Sequence, residues 1–285
     1  MSSKRIDGRK IAAEIIREIK TEISALTGRK PGLAFLLIGE NPASQSYVRA
    51  KKKACASTGI GSTLLEFPAS IAEADLIAEI ERLNRDPSID ALLVQLPLPP
   101  HIDPQRIMFA IDPGKDVDGF HPLNVGKMLL GDESALLPCT PLGIKILLER
   151  SGISVEGKHV VILGRSNIVG KPLAAMLMQK KQGCNATVTV CHNRSERLLE
   201  IAASADILIS AIGIPSLIGS NMVKPGAVVI DVGINRVENK IVGDVDFESV
   251  FPIASHITPV PGGVGPMTIA MLLHNVLRLF RRSKS

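Results

Sequence analysis

Tyr47-Val-Arg-Ala-Lys51 carries a phenol and an ammonium four residues apart, a spacing that puts both on one face of a helix. Gln95 stands at the carboxyl end of an apolar run, the place where open α/β sheets present groups to ligands. Lys115-Asp116-Val117-Asp118-Gly119 sets two carboxylates in a loop that could reach the same crevice. Each feature also has a plain structural reading. Tyr47 and Lys51 can be ordinary surface residues, Gln95 a strand-end hydrogen-bond partner, and the acidic loop a solvated turn.

A second group lies in Val161-Ile-Leu-Gly164-Arg-Ser-Asn-Ile-Val-Gly170-Lys-Pro172, which follows an expected strand and opens an expected helix. Backbone N–H groups at such a helix start bind phosphate, helped by the helix dipole. The segment is not Gly-x-Gly-x-x-Gly; only its first and last glycines are placed like those of that fingerprint. A plain βα turn explains it equally well taken alone. The end of the next strand tips the balance. An NAD site usually offers an acid there for the ribose hydroxyls, whereas this chain has His192-Asn193-Arg194-Ser195. Arg165, Ser166, His192 and Arg194 can donate to a 2′-phosphate, which points to NADP. Tyr-x-x-x-Lys is also the catalytic spacing of short-chain dehydrogenases. In those enzymes it follows the dinucleotide turn, and here it lies far upstream, so that reading fails on order.

The elements that must position these groups alternate along the chain. A helix is expected over 11–26, on the stripe Ile11, Ile15, Ile19, Ile23 and Leu26. Gly32–Ile38 reads as a buried strand, and Asn41-Pro42 opens a helix that carries Tyr47 and Lys51 and ends near Gly59. A strand over 61–67 follows, and Ser70-Ile-Ala-Glu73 reads as a capping box opening a helix to about Asn84. Ile89–Leu96 reads as a third strand stopped by Pro97, Asp103-Pro104 as a short helix, and 112–121 as a charged loop. Thr140-Pro141 reads as a capped helix running to about Arg150. Then come a strand His159–Leu163, a helix Val169–Gln182, a strand Ala186–Cys191, a helix Glu196–Ala205, and strands Ile207–Ala211 and Ala227–Asp231. The last helix is expected from about Pro266 to Arg281. Strands alternating with helices imply an α/β protein with a doubly wound parallel sheet.

The bulk composition agrees. The chain has 285 residues, 45% of them hydrophobic, with no Trp and one Tyr, which suits two domains with buried parallel strands. Its net charge of +5 does not demand nucleic acid, and Lys51-Lys52-Lys53 lacks the aromatics of a base-stacking platform. Cys55, Cys139, Cys184 and Cys191 show no metal-ligand spacing, so no metal is expected and reduced thiols are. The start, Met1-Ser-Ser-Lys-Arg-Ile-Asp-Gly8, has no apolar signal core, and no run is long enough for a membrane span. A cytoplasmic protein is expected.

Together these stretches closely resemble the bacterial bifunctional methylenetetrahydrofolate dehydrogenase/cyclohydrolase family. The likeness rests on Tyr47-x-x-x-Lys51, Val94-Gln95-Leu-Pro-Leu-Pro99, Lys115-Asp-Val-Asp-Gly-Phe-His-Pro122 and Pro138-Cys-Thr-Pro141. It continues through Gly164–Pro172, Asp231-Val-Gly-Ile-Asn235 and Pro259-Val-Pro-Gly-Gly-Val-Gly-Pro-Met-Thr268, in the family's order over nearly the whole chain.

The resemblance implies oxidation of 5,10-methylenetetrahydrofolate with NADP, then hydrolysis of the methenyl cation to 10-formyltetrahydrofolate at one shared cleft site. It assigns catalysis to Lys51, Gln95, Tyr47 and Asp118. Lys51 is central to the hydrolase step, Gln95 lies against it, Tyr47 stacks on the folate and Asp118 anchors the pterin. Pro261, Gly262 and Gly263 would line the folate site as a backbone-exposed loop. Cofactor contacts fall on Gly164, Arg165, Ser166, Ile168, Gly170, His192, Asn193 and Ile234. The implied folate-binding catalytic domain comprises 1–139 plus 267–285, and the Rossmann-like NADP domain 140–266. The last helix would pack back on the first domain, and two copies would pair through the cofactor domain.

Overall fold

The computed structural model describes residues 4–238 and 240–284. Met1–Ser3, the start of the segment read as lacking a signal core, lie outside them. The chain opens with β1 (Lys4–Arg5) and α1 (Gly8–Ser24), then β2 (Gly32–Ile38), α2 (Pro42–Thr58) and β3 (Gly61–Phe67). α3 (Glu73–Arg85), β4 (Ala91–Val94), α4 (Pro104–Ala110), α5 (Pro122–Leu129) and α6 (Cys139–Arg150) follow. Next are β5 (His159–Leu163), α7 (Gly170–Leu177), β6 (Thr187–Cys191), α8 (Leu198–Ala203), β7 (Ile207–Ser210) and β8 (Val228–Asp231). A hairpin of β9 (Asn235–Val237) and β10 (Lys240–Val242), α9 (Phe247–Val250), β11 (His256–Ile257) and α10 (Val264–Arg282) complete the chain.

Contacts divide the chain into two compact units. One holds residues to Ala13, Met128–Asp132 and Pro138–Thr268; the other holds Glu14–Lys127, Glu133–Leu137 and Ile269 onward. The N-terminal residues join the first unit because β1 pairs with β11 there.

The first unit is built on a six-stranded parallel sheet in the order β1-β11-β8-β7-β5-β6. β6 lies on one side of β5 and β7 on the other, so the strand order reverses beside β5 and opens a crevice at the carboxyl ends. Val161, Leu163, Leu208 and Val229 bury one face of the sheet against Ala202, Ile218 and Val250. The second unit holds a three-stranded parallel sheet, β3-β2-β4. Ala34, Leu36, Ile38, Leu92 and Val94 pack there against Leu76, Ile80 and Leu83 of α3 and Ile107 of α4. Residues 115–117 run beside β4, with Asp116 bridged in parallel to Leu92. The later turns of α10 belong to this unit: Asn275 Nδ2 donates to the carbonyls of Val117 at 2.9 Å and Leu137 at 3.0 Å, and Phe280 is fully buried.

Several expected helix boundaries differ, three of them with a cause visible in the hydrogen bonds. α3 begins at Glu73 without a side-chain cap, so Ser70-Ile-Ala-Glu73 forms no capping box. Glu73 instead accepts from the Asp103 N–H at 2.7 Å and pairs with Arg106, tying α3 to α4. α6 starts after Pro138 rather than at Thr140, whose hydroxyl bonds that of Thr268 at 3.0 Å. α7 stops at Leu177, well short of Gln182, because the returning chain takes its last carbonyls: the Ala186 N–H donates to Leu177 and the Asn185 N–H to Gln179, each at 3.0 Å. β4 covers only Ala91–Val94 of the expected Ile89–Leu96.

Candidate functional site

α2 places the first chemical group. Asn41 caps it by accepting from the Ala43 and Ser44 N–H groups, Pro42 fills a position that needs no N–H, and Gly59 ends it at φ 85°. Ser44, Val48, Cys55 and Thr58 form its buried stripe. Lys51 falls within that stripe, between Val48 and Cys55, and Tyr47 stands at its edge: Tyr47 is 44% exposed and Lys51 half-buried.

β4 brings the second group to the same place. The Gln95 N–H donates to the Leu36 carbonyl at 2.9 Å, carrying the ladder one residue past the strand before Pro97 removes the next donor. The Gln95 Nε2 donates to the Leu96 carbonyl at 2.7 Å, which turns the amide oxygen outward, and Lys51 Nζ donates to that oxygen at 3.1 Å. The ammonium therefore meets a neutral acceptor rather than a carboxylate that would hold its proton.

The acidic loop separates into two roles. Asp116 is buried and accepts from the Gly119 N–H at 3.1 Å, the His121 N–H at 2.8 Å and Asn124 Nδ2 at 2.9 Å, so it shapes the loop and does not reach a ligand. Lys115 turns away as well, donating to the Leu83 and Asp86 carbonyls at the end of α3; burial holds its amine below the usual lysine range. Asp118 lies in the turn that follows the isolated Asp116–Leu92 bridge. It lines an apolar pocket with Leu96, Leu98 and Phe120.

Tyr47, Lys51, Gln95 and Asp118 lie together in the second unit, and the remaining candidates belong to the first. Gly164 has φ +124°, and a Cβ there would stand 2.3 Å from the Ala211 carbonyl oxygen. A Cβ on Gly170 would stand 2.0 Å from the Gly164 oxygen, so both glycines are required by close backbone approach. They stand six positions apart, one more than the first and last glycines of Gly-x-Gly-x-x-Gly, so the turn is a variant of that fingerprint. Ser166 Oγ accepts from the Val169 N–H at 3.1 Å and the Gly170 N–H at 3.4 Å, so its hydroxyl already engages N–H groups at the start of the helix that was expected to offer them to phosphate.

His192 Nδ1 accepts from the Arg194 N–H at 3.1 Å, which leaves Nε2 as the donor of the neutral ring. Asn193, Arg194 and Arg165 are exposed, and neither guanidinium has an ion-pair partner among the described residues. Ile168, Ile214 and Ile234, at 44%, 46% and 50% exposure, project from the carboxyl ends of β5, β7 and β8. Gly213 and Ile214 escaped the sequence reading because no polar group marks them; the signal was their place just past a buried strand. Pro261 is exposed, but Gly262 and Gly263 are buried, and the Gly262 carbonyl accepts from the Arg9 N–H at 3.1 Å. The expected backbone-exposed loop is thus packed on the start of α1, where a Cβ on Gly8 would stand 1.9 Å from the Gly263 oxygen.

The first unit fits a dinucleotide. It has a turn whose two glycines allow close backbone approach, guanidiniums with no ion-pair partner among the described residues beside the ends of β5 and β6, and exposed apolar side chains along the same sheet edge. The second offers an amine, an amide, a phenol and a carboxylate. These features define a two-unit α/β enzyme of the dinucleotide-binding class.

Comparison with known proteins narrows the class. The catalytic-domain model of tetrahydrofolate dehydrogenase/cyclohydrolase matches residues 6–118, and its NAD(P)-binding-domain model matches residues 138–284. The chain belongs to the tetrahydrofolate dehydrogenase/cyclohydrolase family. It is 57% identical to a protein of Protochlamydia amoebophila named bifunctional protein FolD, over 98% of each chain. The crystal structure of the bifunctional FolD enzyme from Campylobacter jejuni superposes with a TM-score of 0.95 at 49% identity, covering 98% of this chain and 99% of that one. The Trypanosoma brucei enzyme, solved with NADP and an inhibitor, gives 0.94 at 40% identity, covering 100% and 99%.

Proposed function

We propose that this chain oxidises 5,10-methylenetetrahydrofolate with NADP and hydrolyses the methenyl product to 10-formyltetrahydrofolate, within one-carbon metabolism. The observation that carries the reading is the Lys51–Gln95 pair at 3.1 Å, in a chain that also provides the dinucleotide turn. NADP, when bound, supplies the hydride acceptor, and the oxidation needs no protein acid, only alignment. Gly164, Arg165, Ser166, Ile168, Gly170, His192, Asn193 and Ile234 would hold it. Arg165, Arg194 and the Nε2–H of His192 favour the 2′-phosphate, and no acid at the end of β6 repels it.

Hydrolysis adds water to the methenyl carbon, breaks its bond to N5 and releases one proton. Lys51 is the group that moves that proton, and Gln95 orients its amine without adding charge. Tyr47 offers its ring face to the folate. Asp118 accepts from the adjacent N–H donors of the pterin edge. Pro261 supplies the exposed residue of the cis-proline loop, with Gly262 and Gly263 setting its backbone.

Residues 1–139 with 267–285 would form the folate domain and 140–266 the cofactor domain. A homodimer through the cofactor domain is supported by β6, a sheet-edge strand with Val190 37% exposed. Among the described residues no helix is long and apolar enough to cross a membrane, and we place the protein in the cytoplasm.

The test is a spectrophotometric assay with methylenetetrahydrofolate and either NADP or NAD, following formation and decay of the methenyl species. NADP is expected to give the higher kcat/KM, with decay faster than the uncatalysed rate. Equal kcat/KM for the two cofactors would overturn the cofactor assignment, and decay at the uncatalysed rate would overturn the second activity.

A further inference from the structure

Two buried carboxylates at the carboxyl edge of the six-stranded sheet have no part in the reaction above. Asp244 lies between the turn after β7 and the turn after β8. Its Oδ2 accepts from the Ile212 N–H at 2.8 Å and from Ser210 Oγ at 3.1 Å. Its Oδ1 accepts from Asn235 Nδ2 at 2.9 Å, and the Gly213 N–H reaches both oxygens at 3.1 Å. A Cβ on Gly233 would stand 2.2 Å from Oδ1, so a bare backbone lets the carboxylate lie against the second turn. Asp231 forms a layer beneath: it accepts from the N–H groups of Gly233, Asp244 and Val245, each at 2.9 Å. Asp244 is thereby fixed at its backbone by one carboxylate while its own carboxylate fixes two turns.

The sheet order gives this latch a direction. His192–Arg194 follow β6, the Gly164 turn follows β5, and the turns held by Asp244 follow β7 and β8. A dinucleotide with its 2′-phosphate beside β6 and its pyrophosphate at β5 extends its other end toward Gly213, Ile214 and Ile234. We propose that Asp244 is the positioning residue for that end of the cofactor: one carboxylate sets the separation of the two turns that receive it. The proposal rests on the assignment of the cofactor to this edge.

The test exploits the two activities. In Asp244→Asn one acceptor oxygen becomes a donor facing converging N–H groups, while the shape is kept. The expected result is a KM for NADP raised about tenfold and a dehydrogenase kcat lowered at least about tenfold, since the oxidation depends on the alignment of the end that is misplaced. Hydrolysis of supplied methenyltetrahydrofolate, which uses Lys51 and Gln95 of the other unit, stays within about twofold. Asn235→Ala, which cuts only the tie to the second turn, should raise the same KM about threefold and decides the matter if Asp244→Asn does not fold. Wild-type KM for NADP in the folded variants, or a parallel fall of both activities, overturns the role. Gly164→Ala separates the two failures. If it raises the KM while Asp244→Asn and Asn235→Ala do not, only the positioning role is wrong. If all three leave the KM unchanged, the cofactor is not at this edge.

Discussion

Lys51 and Asp231 hold their charges in opposite ways. The Lys51 ammonium is half-buried and makes one side-chain hydrogen bond, to a neutral amide. The Asp231 carboxylate is 3% exposed and held by three N–H donors. One group is left with protons to give; the other has most of its acceptor sites committed to backbone N–H groups. A buried carboxylate held by backbone donors is scaffolding, and a half-buried ammonium with bonding capacity in reserve is the one suited to chemistry.

The largest effect expected from this contrast is on stability. Asp231→Ala strands three buried N–H donors and should cost about 3 kcal/mol in chemical denaturation. A loss no greater than that of a surface substitution would remove the contrast.

The pH dependence sharpens it. Burial pushes the Asp231 carboxyl up to about 6 from an ordinary 3.8, with the nearby Asp244 adding to the rise. Folding therefore takes up a proton between those values. The protonated group's contribution is fully present below about 3.8 and is lost as pH rises through about 6. The stability of wild type relative to Asp231→Asn should accordingly fall between pH 4 and pH 7, by about 2 kcal/mol. A difference that is flat or grows with pH contradicts the assignment of burial as the dominant cause.

The sequence showed these two regions unequally. β2 and β5 are found where their apolar runs placed them, because a parallel strand buried on both faces leaves a continuous signal. β1 and β11, two residues each, carry no periodicity and exist through pairing alone. Lys51 and Gln95 were marked by helix spacing and by a strand end. Asp116 and Asp118 looked alike in sequence, and only the hydrogen bonds to Gly119, His121 and Asn124 separate the structural acid from the candidate ligand. Asp244 gave no signal, since its hydrogen-bond partners come from two separate stretches, Ser210–Gly213 and Asn235. Ser166 was assigned to a phosphate, and its hydroxyl also accepts from the Val169 N–H just before α7, a bond set by the local turn.

At the cofactor turn the expected effect is smaller. Arg165→Ala should reduce the NADP-over-NAD ratio of kcat/KM about tenfold, or ~1.4 kcal/mol, since the guanidinium has no carboxylate partner among the described residues and its loss removes only ligand binding. An unchanged ratio moves the 2′-phosphate to His192 and Arg194. Smallest of all, Lys51→Ala should change stability by less than about 0.5 kcal/mol, because the side chain is only half-buried and its loss strands no donor. A large loss would make Lys51 part of the scaffold as well.

The most direct measurement follows the methenyl species with Lys51→Met, supplied with methylenetetrahydrofolate and NADP. The account predicts that the species still forms and then accumulates, its decay slowed at least about a hundredfold towards the uncatalysed rate while the protein stays folded. Decay at the wild-type rate in that folded variant would contradict the role of Lys51.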